Sequence, residues 1–266
     1  MSIDIIYENG IKIFLNEEIA NKIKIEVKET VGSTNDEVKA SAIKGEREDY
    51  LLVSRTQTKG KGRLGRSFFS PDGTGIYMSL LLRPECKAAD TTIITTAAAV
   101  AVCRALEKIG ISDSKIKWVN DIFLDGKKVC GILTEAGFGA KGDVPDYVVL
   151  GVGVNMYAPK NDFPQELKDI AGAVFTEKKE GVCNRFIAEF LNDFYELYKK
   201  LSERTHIASY REKCFVIGKE INVISGGNIT RATAVDIDNN CNLLVEYPDG
   251  TKASLGTGEI SIRTLE

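Results

Sequence analysis

Residues 57–66 read Gln-Thr-Lys-Gly-Lys-Gly-Arg-Leu-Gly-Arg, a run that places three glycines and four cations directly after an apolar segment. Glycine lets the backbone take positive φ and brings N–H groups close to a ligand, while Lys59, Lys61, Arg63 and Arg66 supply charge for a phosphate or a carboxylate. By composition the loop is an anion cradle or a solvated basic patch of the kind that meets nucleic acid. It does not fit the phosphate loop G-x-x-x-x-G-K-[ST], because no Ser or Thr follows a lysine at the required place. Downstream, Asn120-Asp121 joins an amide to a carboxylate, a pair able to hold a hydrated Mg²⁺ with nucleotide phosphates or to assist proton transfer. The alternative is a bulge or turn. Lys128 follows an Asp125-Gly126 turn signal, and Gly131 offers bare backbone to a ligand. Gly151 and Gly153 alternate, so they share a face and leave it hollow, for a flat ligand or for a closely packed helix. Ser33, Thr34 and Asn35 present hydroxyls and an amide at the start of a helix, where Thr34 and Glu37 have the spacing of a capping box.

His206 is the only histidine, and it is predicted at the surface or at a helix end. Ser-His-Asp and Cys-His hydrolases and most zinc enzymes would have to run through that one ring. The chemistry therefore falls to lysine, arginine, carboxylate, amide and backbone groups.

The elements that must position these groups follow from periodicity and turn signals. Residues 1–28 read as short strands or a strand and a helix, with Ile11, Ile13 and Leu15 alternating and a turn of helix over 19–23. No pair of amphipathic helices joined by a tight turn fits before residue 30, so a helix-turn-helix is not expected. A helix runs from Thr34 to Gly45, a buried strand over 50–54 delivers the chain into the basic loop, and 76–83 is a second strand after a turn-rich return. Residues 91–109 are an alanine-rich buried helix stopped by Gly110. A hairpin over 115–135, a central strand over 147–154 and an irregular connector over 160–180 follow. Phe186, Phe190, Phe194, Leu197 and Leu201 then mark an amphipathic helix over 184–203 as core. Beyond Cys214 short strands at 215–217, 221–224, 231–237, 243–247 and 259–262 predict a small β-barrel.

The chain has 266 residues, 43% hydrophobic and 27% charged, and a formal net charge of −3. That suits one large domain plus a small one, and a mildly acidic protein argues against a general nucleic-acid binder. Cys86, Cys103, Cys130, Cys183, Cys214 and Cys241 lie far apart without a C-x-x-C pair, and are read as reduced and mostly buried. No secretory signal is evident in the first ten residues, and no apolar run reaches the ~20 residues a bilayer needs. A cytoplasmic protein without membrane association is expected.

Taken together, Ser33-Thr34-Asn35, Gln57 with the loop 60–66, Lys117-Trp118-Val119-Asn120-Asp121, Lys128 to Leu133 and Gly151-Val152-Gly153-Val154-Asn155 resemble, in order, the S-T-N, Q and G-R-G-R-x-G-R, K-W-P-N-D, K-[LV]-x-G-I-L and G-x-G-x-N motifs of the biotin protein ligases. Lys61 stands where that family usually has arginine, Phe68 where many members have tryptophan, and Val119 where proline is usual. The resemblance implies an α+β fold: a mixed-sheet, class II synthetase-like catalytic domain over 1–213 and an SH3-like barrel over 214–266. It implies formation of biotinyl-5′-AMP from biotin and Mg·ATP, then transfer to a lysine of a biotin carboxyl carrier domain. Lys128, Arg63 and Asp121 would be catalytic. Ser33, Thr34, Asn35, Gln57, Gly60, Lys61, Gly62, Arg63, Lys128, Gly131 and Gly153 would hold biotin. Arg63, Arg66, Phe68, Lys117, Asn120 and Asn155 would meet the nucleotide, with Mg²⁺ held by Asn120 and phosphates. The basic loop would act as a lid. The resemblance implies no DNA partner and is compatible with a homodimer. R-x-S-G-G-G-A-V, the signature of the related lipoate ligases, is missing.

Overall fold

The computed structural model describes residues 4–85, 87, 91–139, 142–256 and the backbone of 261–264. Two short helices, α1 (Glu8–Lys12) and α2 (Glu17–Ala20), precede β1 (Lys24–Val31), α3 (Thr34–Ile43), β2 (Tyr50–Gln57), β3 (Gly75–Leu82) and the long helix α4 (Thr91–Lys108). Next come β4 (Lys115–Lys117), β5 (Asp121–Leu124), β6 (Lys127–Gly137), β7 (Tyr147–Asn155), α5 (Val182–Lys199) and α6 (Ile207–Lys213). The chain closes with β8 (Glu220–Ser225), β9 (Asn228–Ile237), β10 (Leu243–Glu246), β11 (Lys252–Leu255) and β12 (Ser261–Thr264).

Seven strands make a mixed sheet in the order β1-β2-β3-β7-β6-β5-β4, with β1 and β2 parallel and the other pairs antiparallel. Helices cover both faces of its centre, which is why β3 is buried along its whole length and reads as a continuous apolar run. Ile76, Met78, Leu80 and Leu82 pack into the large cluster with α4 and α5, whereas Leu81 packs with Val38 and Ala42 of α3 on the opposite face. Alanines let α4 lie close to its neighbours, and Phe186, Phe190 and Phe194 of α5 fill the space beyond them, as their spacing predicts. The second sheet, ordered β11-β10-β9-β8-β12, is antiparallel, and its inner residues Ile221, Ala234 and Leu243 join the same apolar cluster.

Several local readings need correction. Ile11, Ile13 and Leu15 alternate like a strand, yet α1 forms there, burying Ile11 while Ile13 stays 73% exposed. Helix α5 imposes this: Asn184 accepts from Tyr7 N–H and Asn192 from Asn16 N–H. Residues 115–135 are three strands and not one hairpin, because the chain already reverses at 118–120, pairing Lys117 with Asp121. Residues 215–217 form a turn, and β11 was not foreseen. The five described cysteines, Cys103, Cys130, Cys183, Cys214 and Cys241, are free and buried. Cys86 lies outside the described residues, as do Glu259 and Ile260 of the predicted last strand. Among the described residues no helix is long and apolar enough to cross a membrane.

Candidate active site

The floor of the site follows from strand register. Pairing across β3, β7, β6 and β5 aligns Tyr77, Gly153, Gly131 and Asp121 in one row, and Ser79, Gly151 and Leu133 in the row beside it. The glycines do leave the face hollow, and two side chains already use the space. A Cβ on Gly151 would lie 2.1 Å from Asn35 Oδ1, and one on Gly153 would lie 2.7 Å from the Phe68 ring. Phe68 also packs edge-on to Tyr77, with centroids 6.3 Å apart. The room expected over Gly131 and Gly153 is thus held by an aromatic ring, and the pocket's free volume is only about 50 Å³.

One end of the pocket is closed by buried polar groups. Ser33, Thr34 and Asn35 are each under 5% exposed at the start of α3. The foreseen capping box is not made, since Ser33 is the N-cap and no side chain caps the helix. Tertiary partners take Thr34 instead: its N–H donates to Gln57 Oε1 at 2.8 Å, and its hydroxyl lies 3.1 Å from that oxygen and 2.8 Å from Ser79 Oγ. Gln57 Nε2 donates to Ser70 Oγ, which in turn donates to the Phe68 carbonyl. The closed end is therefore wired to the basic loop.

The loop is folded over the pocket. Gly60 is required where it stands, because a Cβ there would lie 2.3 Å from the Phe68 carbonyl oxygen. Leu64 and Gly65 take φ of 55° and 73° at the tip, Gly62 N–H donates to the Arg66 carbonyl, and Lys61 pairs with Asp36 of α3. At the other end of the pocket, Arg63 Nη1 donates to Asn120 Oδ1 at 3.3 Å, Asn120 Nδ2 donates to the Ile132 carbonyl at 2.8 Å, and Lys128 Nζ lies 2.6 Å from Asp121 Oδ1. Burial lowers the Arg63 pKa from its ordinary value, with the Asp121 charge opposing it, yet the guanidinium keeps its charge. Two cations, Arg63 and Lys128, thus line this end of the pocket.

Of the residues singled out by sequence, Ser33, Thr34, Asn35, Gln57, Lys61, Gly62, Arg63, Phe68, Asn120, Lys128, Gly131 and Gly153 line this one cavity. Gly60 packs behind Phe68, and Asp121 pairs with Lys128. Arg66, Lys117 and Asn155 do not line it. Lys117 borders a separate cleft with Lys115, Phe123 and Phe215, its Nζ 5.8 Å from the Phe123 ring centroid. Asn155 Nδ2 donates to the Gly172 carbonyl and so ties down the 160–180 connector, whose Ile170 and Gly172 bracket the Lys128 backbone. Mg²⁺ was expected on Asn120, but its Oδ1 accepts from Arg63 and Asp121 faces Lys128. Among the described residues no group of three His, Cys, Asp or Glu side chains that could hold a metal occurs.

His206 is 1% exposed, which corrects the surface expectation while keeping it at a helix end as the N-cap of α6. Burial pushes its pKa down to about 4, its Nε2 lies 3.0 Å from Thr96 Oγ1, and it does not line the pocket. Sequence reading missed Tyr77, Ser79 and Glu135 as site residues. The signal was present for Ser79, a hydroxyl inside the apolar run Gly75–Leu82, and for Glu135, a carboxylate late in a strand otherwise built for burial.

Comparison with known proteins agrees with this arrangement. Residues 27–155 match the Biotin/lipoate A/B protein ligase family, and residues 216–263 match the Biotin protein ligase C terminal domain. The bifunctional ligase/repressor BirA of Bacillus subtilis is 45% identical over 124 residues, covering 47% of this chain and 38% of that protein. The biotin--[acetyl-CoA-carboxylase] ligase of Mycobacterium tuberculosis is 26% identical over 248 residues, 89% of this chain and 88% of that one. The biotin protein ligase of Aquifex aeolicus, solved in complex with biotin and ATP, matches with a TM-score of 0.74 at 25% identity, covering 91% of this chain and 99% of that one. The match therefore spans well under half the length of the Bacillus relative and nearly all of the other two.

Proposed function

The chain belongs to the biotin protein ligase family, and from that premise we propose that it is an ATP-dependent ligase that adenylates biotin and passes the biotinyl group to a lysine of a carrier domain. One observation carries the reading: a single pocket joins a buried, uncharged polar end (Ser33, Thr34, Asn35, Gln57) to a cationic end (Arg63, Lys128). A ureido ring suits the first and a carboxylate the second.

In the first step a carboxylate oxygen of biotin attacks the α-phosphorus of ATP, a P–O bond forms, and the bond to the β-phosphate oxygen breaks to release pyrophosphate. Lys128 and Arg63 neutralise the two anions that must approach each other, a task of positioning and charge that needs no protein nucleophile. In the second step the carrier lysine attacks the acyl carbon, the bond to AMP breaks, and AMP leaves with the electron pair. Asp121, held 2.6 Å from Lys128, is the carboxylate placed to orient the amine and receive its proton. Phe68 closes over the adenylate and excludes water from the mixed anhydride. ATP with its Mg²⁺, a biotin carboxyl carrier domain and a cytoplasmic setting belong to the same proposal.

The test is direct. Purified protein with biotin and ATP should release pyrophosphate, yield biotinyl-5′-AMP by mass spectrometry, and label a carrier domain. Lipoate run in parallel should give little turnover. Pyrophosphate release with lipoate but not with biotin would overturn the assignment.

A further inference from the structure

Asn35 shows which way the hydrogen bonds run behind the pocket. Its Nδ2 faces two acceptors, the Glu135 carboxylate at 2.8 Å and the Leu133 carbonyl at 3.3 Å. That fixes the amide orientation, because the flipped form would set Oδ1 against both oxygens. Oδ1 then lies 2.6 Å from Ser79 Oγ and can only accept, so the single Ser79 hydrogen is committed to it. With the Ser79 hydrogen spent there, the 2.8 Å contact between Ser79 and Thr34 holds a hydrogen only if the Thr34 hydroxyl supplies it, in preference to its longer 3.1 Å contact with Gln57 Oε1. Gln57 Oε1 still receives the Thr34 backbone N–H at 2.8 Å and loses nothing essential. The donors run one way, from Thr34 to Ser79 to Asn35 to Glu135. Ser79 is 0% exposed and Thr34 3%, so water does not scramble the order.

We propose that Ser79 and Glu135 are positioning residues that set the hydrogen-bond polarity of the closed end: with its hydrogen drawn inward, Thr34 meets the ligand as an acceptor and selects a ring N–H. This rests on the biotin reading of the site and deepens it. A ureido ring carries two N–H donors, whereas the dithiolane of lipoate carries none, so the chain anchored at Glu135 favours the first acid over the second. Neither positioning residue lines the cavity, so both act through Thr34 and Asn35.

The experiment measures adenylation by pyrophosphate release, varying biotin and ATP separately. Ser79→Ala should raise KM for biotin about tenfold, as expected for losing one buried hydrogen-bond relay, with KM for ATP and kcat within twofold of wild type. Glu135→Leu should behave the same way, and Glu135→Gln, which can still offer an oxygen to Asn35, should restore biotin KM to near wild type. Desthiobiotin, which keeps the ureido group, should suffer the same loss as biotin. If the first variant folds poorly, Glu135→Leu against Glu135→Gln decides alone. Equal shifts in KM for biotin and ATP, or Glu135→Gln as impaired as Glu135→Leu, would overturn the proposal while leaving ligase activity intact. A wild-type protein that adenylates no biotin would sink both this inference and the function it rests on.

Discussion

Gly151→Ala is the substitution through which the closed end can be tested most sharply. The new Cβ would lie 2.1 Å from Asn35 Oδ1, 2.9 Å from its Cγ and 3.1 Å from its Nδ2. Ordinary contact needs about 3.5 Å, so the amide must retreat by more than an ångström. Its contacts with Ser79 (2.6 Å) and Glu135 (2.8 Å) would then stretch beyond hydrogen-bonding range. Asn35 is 4% exposed, and a buried group stripped of a partner costs about 1–3 kcal/mol. Two such losses come to about 2–6 kcal/mol, which for a protein of this size lowers Tm by on the order of 5–20 °C. Gly153→Ala is the control, since its Cβ meets the Phe68 ring at 2.7 Å and not the Asn35 amide. Thermal melts with and without biotin, together with KM for biotin, give the readout. A Gly151→Ala protein that melts within about 2 °C of wild type and keeps its KM for biotin would refute the reasoning from Asn35.

Three further outcomes are expected. Lys128→Ala should slow adenylation by on the order of 10²–10³ while changing stability by no more than about 1 kcal/mol, because its pair with Asp121 is about a quarter exposed at both partners; denaturant titration beside pyrophosphate release separates the two. Tyr210→Phe should cost about 1–3 kcal/mol, since its hydroxyl donates to the Val119 carbonyl at 3.0 Å in a fully buried place; urea melts check this, and an unchanged midpoint would count against that bond. His206 has its pKa pushed from 6.5 to about 4 by burial, so as pH falls the unfolded chain takes up the proton first. Its contribution is whole above pH 6.5 and declines by about 3 kcal/mol towards pH 4; His206→Gln should flatten that part of the stability profile, and parallel profiles would contradict the buried, neutral ring.

Where the sequence was legible, a local pattern had one physical solution. The apolar run 147–154, the phenylalanines of α5 and the Asp125-Gly126 turn, with φ of 49° and 75°, each emerge as read. Most residues that line the pocket were picked out by the family resemblance, since the glycine pair, the amide and carboxylate, and the basic loop each admit a purely structural reading when taken alone. Local patterns misled where distant residues supplied the partner. α1 starts where Asn184, 177 residues on, holds Tyr7, and Asn192, 176 residues on, holds Asn16 at the start of α2. Thr34 and Glu37 match a capping box, but Gln57 and Ser79 claim the hydroxyl. Ser79 and Glu135 carry no motif, and their roles exist only once β3, β7 and β6 are in register.

The two ends of the pocket hang on different parts of the fold, and this separates binding from chemistry. The closed end is built by α3, β2 and β3, with the far end of β6 behind it at Leu133 and Glu135. The cationic end is built by β5, β6 and the turn at 118–120, which is held from the C-terminal side: Tyr210 donates to the Val119 carbonyl and the Trp118 indole N–H donates to the Cys241 carbonyl at 3.0 Å. Asn120 closes that turn and Asp121 follows it directly, so a loosened hold there displaces the groups that face Arg63 and Lys128 and leaves Thr34 and Asn35 where they are. Faults near Tyr210 or Cys241 should therefore appear in kcat, and faults near Ser79 in KM for biotin. The basic loop is the exception, since Gln57 and Ser70 tie Phe68 to the closed end while Arg63 reaches Asn120 at the other. Through it an occupied closed end can draw Arg63 onto the reacting groups.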